Sequence, residues 1–149
     1  MSKYDLVIVN PIRGKIQEQD EHDMNPYTAR GWFRLDMDLD EAKKIFIKVR
    51  KYRANGYLVA TEYRHPAITQ SAARLIALKK YNQLIAEGRK LDVLDEGFDE
   101  IMWWSFCAED KIAIEEGRIP GTVTIAVDKL DGHLRSDEEY RKWIQLSSV

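Results

Sequence analysis

The residues best suited to chemistry in this chain follow one another at Glu62, Tyr63, Arg64 and His65. Glu62 and His65 are the candidate catalytic residues. His65 is included because a histidine can act as an acid or a base near neutral pH. A guanidinium binds phosphate or carboxylate, so Arg64 is a candidate binding residue, with Tyr63 beside it. The pattern predicts that they lie where a strand ends and a helix begins, a position that favours anionic ligands. The alternative is an exposed Glu62–Arg64 pair on one strand face.

A second candidate is a metal site at Asp36 and Asp38. Residues two apart on a strand point the same way, as two oxygen ligands of Mg²⁺ would need to. The alternative is a solvated strand face that leads into a helix cap. An EF-hand is excluded, because Glu41 stands where that loop needs glycine. No zinc spacing, phosphate-binding loop or hydrolase motif is present, so we expect no cofactor.

Trp103 and Trp104 are the candidate anchors for a protein partner. Neighbouring residues cannot both face the same core, so one of the two rings is expected to meet solvent, a ligand or a partner. The alternative is a segment that is buried on both sides.

Nucleic-acid binding is a further hypothesis, based on a basic helix surface at residues 43–53. Such a surface can follow phosphates, although it is more often the solvated side of an amphipathic helix. The net charge of −2 argues against it, because no overall field draws the protein to nucleic acid. The basic residues are Lys43, Lys44, Lys48, Arg50, Lys51 and Arg53.

The composition predicts one globular domain over residues 1–149. Hydrophobic residues make up 44% and charged residues 32%, which is typical of folded proteins. The single cysteine, Cys107, excludes an intramolecular disulfide and suits a reducing compartment. No apolar run is long enough for a membrane span, so we expect a cytoplasmic protein without membrane contact.

A β-α-β unit from Trp32 to Tyr63 dominates the central part of the chain. Apolar residues alternate with polar ones from Trp32 to Leu39, which predicts a strand. Asp40 is the predicted N-cap of the following helix, and Asn55-Gly56 is predicted to end it with a positive φ angle. Residues 57–63 form the second predicted strand.

The remaining elements are predicted from apolar runs and turn signals. Residues 6–9 read as a central strand buried on both faces, and residues 12–30 as a functional loop, a mobile segment or a short helix. A helix is expected from Pro66 to Glu87, and its broad apolar surface indicates packing on two sides or a subunit contact. Residues 121–128 alternate as a strand, and a closing helix follows Ser136.

Residues 98–116 allow two interpretations. One is a helix that is stopped by Gly117; the other is a strand at 101–106 followed by a shorter helix. We favour the helix because acidic residues precede it. Together these elements predict an α/β or α+β fold, with about four helices packed on a single mixed sheet of about four strands.

Our leading hypothesis is a small cytosolic protein-binding module, acting as an inhibitor, immunity or regulatory factor, alone or as a homo-oligomer. It depends on the aromatic and apolar surplus of residues 66–87 and 98–116 and on the lack of a catalytic motif. The first alternative is an enzyme or sensor for a small anionic ligand, such as a nucleotide, at Glu62, Arg64 and His65. The second is nucleic-acid binding through the basic helix.

Overall fold

The computed structural model describes residues 2–10, 25–26, 32–50, 55–119 and 121–146. They form two compact units: unit 1 comprises Met1–Arg64 and Asp137–Val149, and unit 2 comprises His65–Ser136. The single domain over residues 1–149 stays a prediction. The segment expected at residues 12–30 lies outside the described residues except for Asn25–Pro26.

Unit 1 is built on a sheet whose first strand is central. Its strands are β1 Tyr4–Asn10, β2 Asn25–Pro26, β3 Trp32–Met37 and β4 Asn55–Ala60. Their order is β2-β3-β1-β4, and every neighbouring pair is antiparallel. The three consecutive residues Leu6, Val7 and Ile8 are buried, which confirms a central strand covered on both faces. Since β1 separates β3 from β4, the two strands of the β-α-β unit do not pair with each other.

Helix α1, Leu39–Arg50, covers one face of this sheet. Its cap differs from the prediction: the Asp38 carboxylate, not Asp40, accepts a hydrogen bond from the Glu41 amide at 2.9 Å. Ala42 and Phe46 are buried on the inner side of the helix. The core that they form contains Leu6, Ile8, Leu35, Ala42, Phe46 and Leu58.

The turn predicted at Asn55-Gly56 is wrong, because both residues belong to β4. Gly56 pairs with Ile8 across the sheet and does not have a positive φ angle. A Cβ atom on Gly56 would lie 3.1 Å from the Val7 carbonyl oxygen and 3.2 Å from Phe46 Cε2. Glycine is therefore needed for the close approach of α1 to the sheet, rather than for a turn.

Unit 2 has a separate antiparallel sheet in the order β5-β6-β7. Its elements are α2 Gln70–Ala86, β5 Phe98–Asp99, β6 Trp103–Glu109, α3 Lys111–Glu115 and β7 Thr122–Asp128. The helix that we favoured over residues 98–116 is wrong. A strand followed by a short helix is found instead. Every second residue of β6, namely Trp104, Phe106 and Ala108, faces the core of unit 2, and β6 pairs with β7.

Helix α2 packs on the sheet of unit 2 through Ala73 and Ala77, its two buried residues. It starts later than predicted, since the Thr69 hydroxyl accepts a hydrogen bond from the Ala72 amide and caps the helix. Pro66 therefore precedes the helix. The predicted stop is confirmed: Gly88 follows the helix with a φ of 100°.

Helix α4, Asp137–Leu146, begins directly after Ser136 and belongs to unit 1. The Trp143 ring stacks on the Tyr57 ring of β4, with 4.3 Å between ring centres. The expected mixture of helices and strands is confirmed as an α+β fold, but the described residues form two antiparallel sheets and not the single mixed sheet that we expected. Among the described residues, no helix has the length and apolar character to cross a membrane.

Candidate functional site

An extended polar arrangement in unit 1 surrounds the buried carboxylate of Asp5. β1 and β3 lose register between Tyr4 and Leu6, so Asp5 faces a bulge in β3. Within that bulge Asp36 has a φ of 52°. Asp5 Oδ1 accepts hydrogen bonds from the backbone amides of Leu35 at 3.0 Å and Asp36 at 3.1 Å. The carboxylate therefore accepts hydrogen bonds from two backbone amides at the point where the pairing of β1 with β3 is irregular.

Two side chains also donate hydrogen bonds to the Asp5 carboxylate. The Trp32 indole Nε1 donates to Asp5 Oδ2 at 3.0 Å. Arg64 Nε donates to Oδ2, and Arg64 Nη2 donates to Oδ1 at 2.6 Å, so the ion pair is bidentate. Asp5 is fully buried, and the Arg64 side chain is only 15% exposed. The pair is therefore well shielded from solvent.

The pKa of Asp5 reflects opposing influences. Burial is the largest and raises the pKa, whereas hydrogen bonds from Arg64, Trp32 and the Asp36 backbone, with the charge of Arg64, lower it. The lowering influences together outweigh burial, so the pKa lies below its ordinary value of 3.8. Asp5 is consequently a structural anion that holds Arg64, rather than a proton donor near neutral pH.

This pairing changes the interpretation of residues 62–65. The strand predicted to reach Tyr63 is wrong, because β4 ends at Ala60 and Thr61–Arg64 form a 3₁₀ turn. Arg64 therefore turns toward Asp5, while Glu62 and His65 are exposed and Tyr63 is half-buried. The boundary between the two units also runs between Arg64 and His65. The guanidinium expected to hold an anion is occupied by a carboxylate of the same chain.

The predicted metal ligands are placed in different roles. Asp36 lies in the bulge, with its Oδ1 3.7 Å from Arg64 Nη2, and Asp38 caps α1. Their expected common direction requires a regular strand, and the left-handed φ of Asp36 interrupts it.

Among the described residues, one group of three potential metal ligands has its atoms close together: Asp128, Asp131 and His133. Asp128 Oδ1 accepts from the Leu130 amide, and Asp131 Oδ1 lies 2.5 Å from His133 Nδ1. Hydrogen bonds from His133 to Asp131 are the main cause that lowers the pKa of Asp131. These contacts stabilise the turn after β7.

The two tryptophans face opposite sides of β6, as expected for neighbours on a strand. Trp103 is only 2% exposed, and the Arg135 guanidinium lies 4.7 Å from its ring centre. Trp104 is half-buried in the core of unit 2, and its Nε1 donates to the Ile68 carbonyl at 2.9 Å. Lys129 Nζ lies 4.6 Å from the centre of that ring. Trp103 therefore offers almost no surface to a partner.

The apolar surplus is found on α2 instead. Four residues spaced by three, four and three positions follow one side of the helix, which we call the α2 outer face: Leu75, Leu78, Asn82 and Ile85. Leu75 is 70% exposed and Ile85 39% exposed, whereas Leu78 is half-buried and packs against the core of unit 2. Their spacing is visible in the sequence, but the core positions Ala73 and Ala77 are too small to show which side is buried.

A loop extends this surface. The Tyr81 hydroxyl donates to the Asp92 carbonyl at 2.8 Å, and the Arg74 guanidinium donates to the Asp95 carbonyl. The loop is thereby held along α2 on both sides of Val93, which is 77% exposed. Val93 is therefore an exposed aliphatic residue on a loop that is held along α2.

The basic helix surface is only partly described. Lys44 and Lys48 are exposed on α1 and Lys43 is half-buried. Lys51, Arg53 and the side chain of Arg50 lie outside the described part of the chain.

Comparison with known proteins gives no match: no family model, no curated protein and no solved structure matches this chain.

Proposed function

We propose that this chain is a small protein-binding module and that the α2 outer face, with Val93, is its binding surface. The observation that carries the proposal is that three aliphatic side chains are exposed on α2 and on the loop held along it: Leu75 at 70%, Ile85 at 39% and Val93 at 77%. Large exposed aliphatic side chains that lie together are typical of protein interaction sites. An inhibitor, immunity or regulatory role fits a module of this kind.

The two alternatives have less support. A small anionic ligand at Glu62, Arg64 and His65 would compete with Asp5 for the Arg64 guanidinium. Nucleic-acid binding would require a continuous basic surface, and the net charge of −2 gives no general attraction to phosphates. Neither alternative uses the exposed aliphatic residues of α2.

Site-specific photo-crosslinking in the native host tests the proposal. A photoreactive residue placed at Leu75 should form adducts with a small number of proteins, and Ile85→Ser should reduce them. The control is the same residue at Ile119, which is 96% exposed but lies outside α2. Equal adducts at both positions, or none at Leu75, would refute the proposed surface.

A further inference from the structure

We draw no further inference here: the strongest candidate, the side-chain cluster of Asp128, Asp131 and His133 in the turn after β7, is made of groups that hydrogen-bond within that turn, and nothing else in the described residues points to an ion that it would hold.

Discussion

Asp5 and Arg64 lie 59 residues apart in the sequence and form a bidentate ion pair, in which Arg64 Nη2 lies 2.6 Å from Asp5 Oδ1. The pair joins the central strand of unit 1 to the turn that follows β4. Its carboxylate also fixes the bulge of β3 through the Leu35 and Asp36 amides. One buried side chain thus holds three segments of the unit together.

Asp5→Asn should lower the free energy of unfolding by about 3 kcal/mol, because it leaves the shielded Arg64 guanidinium without its counter-ion. Urea unfolding at neutral pH measures the change. Asp40→Asn, in the exposed first turn of α1, is the control and should change the free energy by less than about 1 kcal/mol. Equal effects of the two substitutions would show that the buried pair has no special role.

The contribution of Asp5 should depend on pH in a defined direction. Because its pKa in the folded protein lies below 3.8, the ion pair stabilises the fold fully above that pH. The contribution is lost as the pH falls through the lower, folded-state pKa. The difference in unfolding free energy between the native chain and Asp5→Asn should therefore shrink in acid. A difference that stays constant down to about pH 2 would contradict this assignment.

Trp103→Ala should destabilise unit 2 by about 3 kcal/mol or more, because the ring is buried and its loss leaves a large cavity. Thermal unfolding followed by circular dichroism measures this effect. Leu75→Ala removes a mostly exposed side chain and should cost less than about 1 kcal/mol. If Leu75→Ala destabilised the protein more than Trp103→Ala, the exposed apolar surface would be at Trp103 and not on α2.

Gly56→Ala should destabilise unit 1 by about 1 to 3 kcal/mol, because the added methyl group meets the Val7 backbone and the Phe46 ring. Gly121→Ala is a matched control, since its Cβ would have no atom within 4 Å and its φ is not positive. Denaturant unfolding compares the two variants. If Gly56→Ala is as stable as Gly121→Ala, the close contact between α1 and the sheet is not limiting.

The elements with a clear single period could be predicted from the sequence. The buried run of β1 and the alternation of β7 correspond to the observed strands. β6 could not be assigned, because its large residues occupy both faces and obscure the period of two.

The candidate site was harder to predict, because pairing over long distances leaves no local pattern. Asp5 directly precedes an apolar run on a strand covered on both faces, a pattern that indicates a buried carboxylate in need of a cation. The partner cation is Arg64, which reaches Asp5 through the turn after β4. The spacing of residues in the sequence does not reveal this pairing. The sequence indicates an apolar surplus over residues 66–87, but the exposed side of the helix is defined only by the packing of Ala73 and Ala77.

Unit 1 is discontinuous, since α4 follows unit 2 in the chain. During synthesis, all of unit 2 leaves the ribosome before the helix that brings Trp143 to Tyr57 exists. Domains completed first can fold first, so the inserted unit can reach its native structure while the earlier one still lacks its last element. The order of maturation is then the opposite of the order in which translation begins the two units.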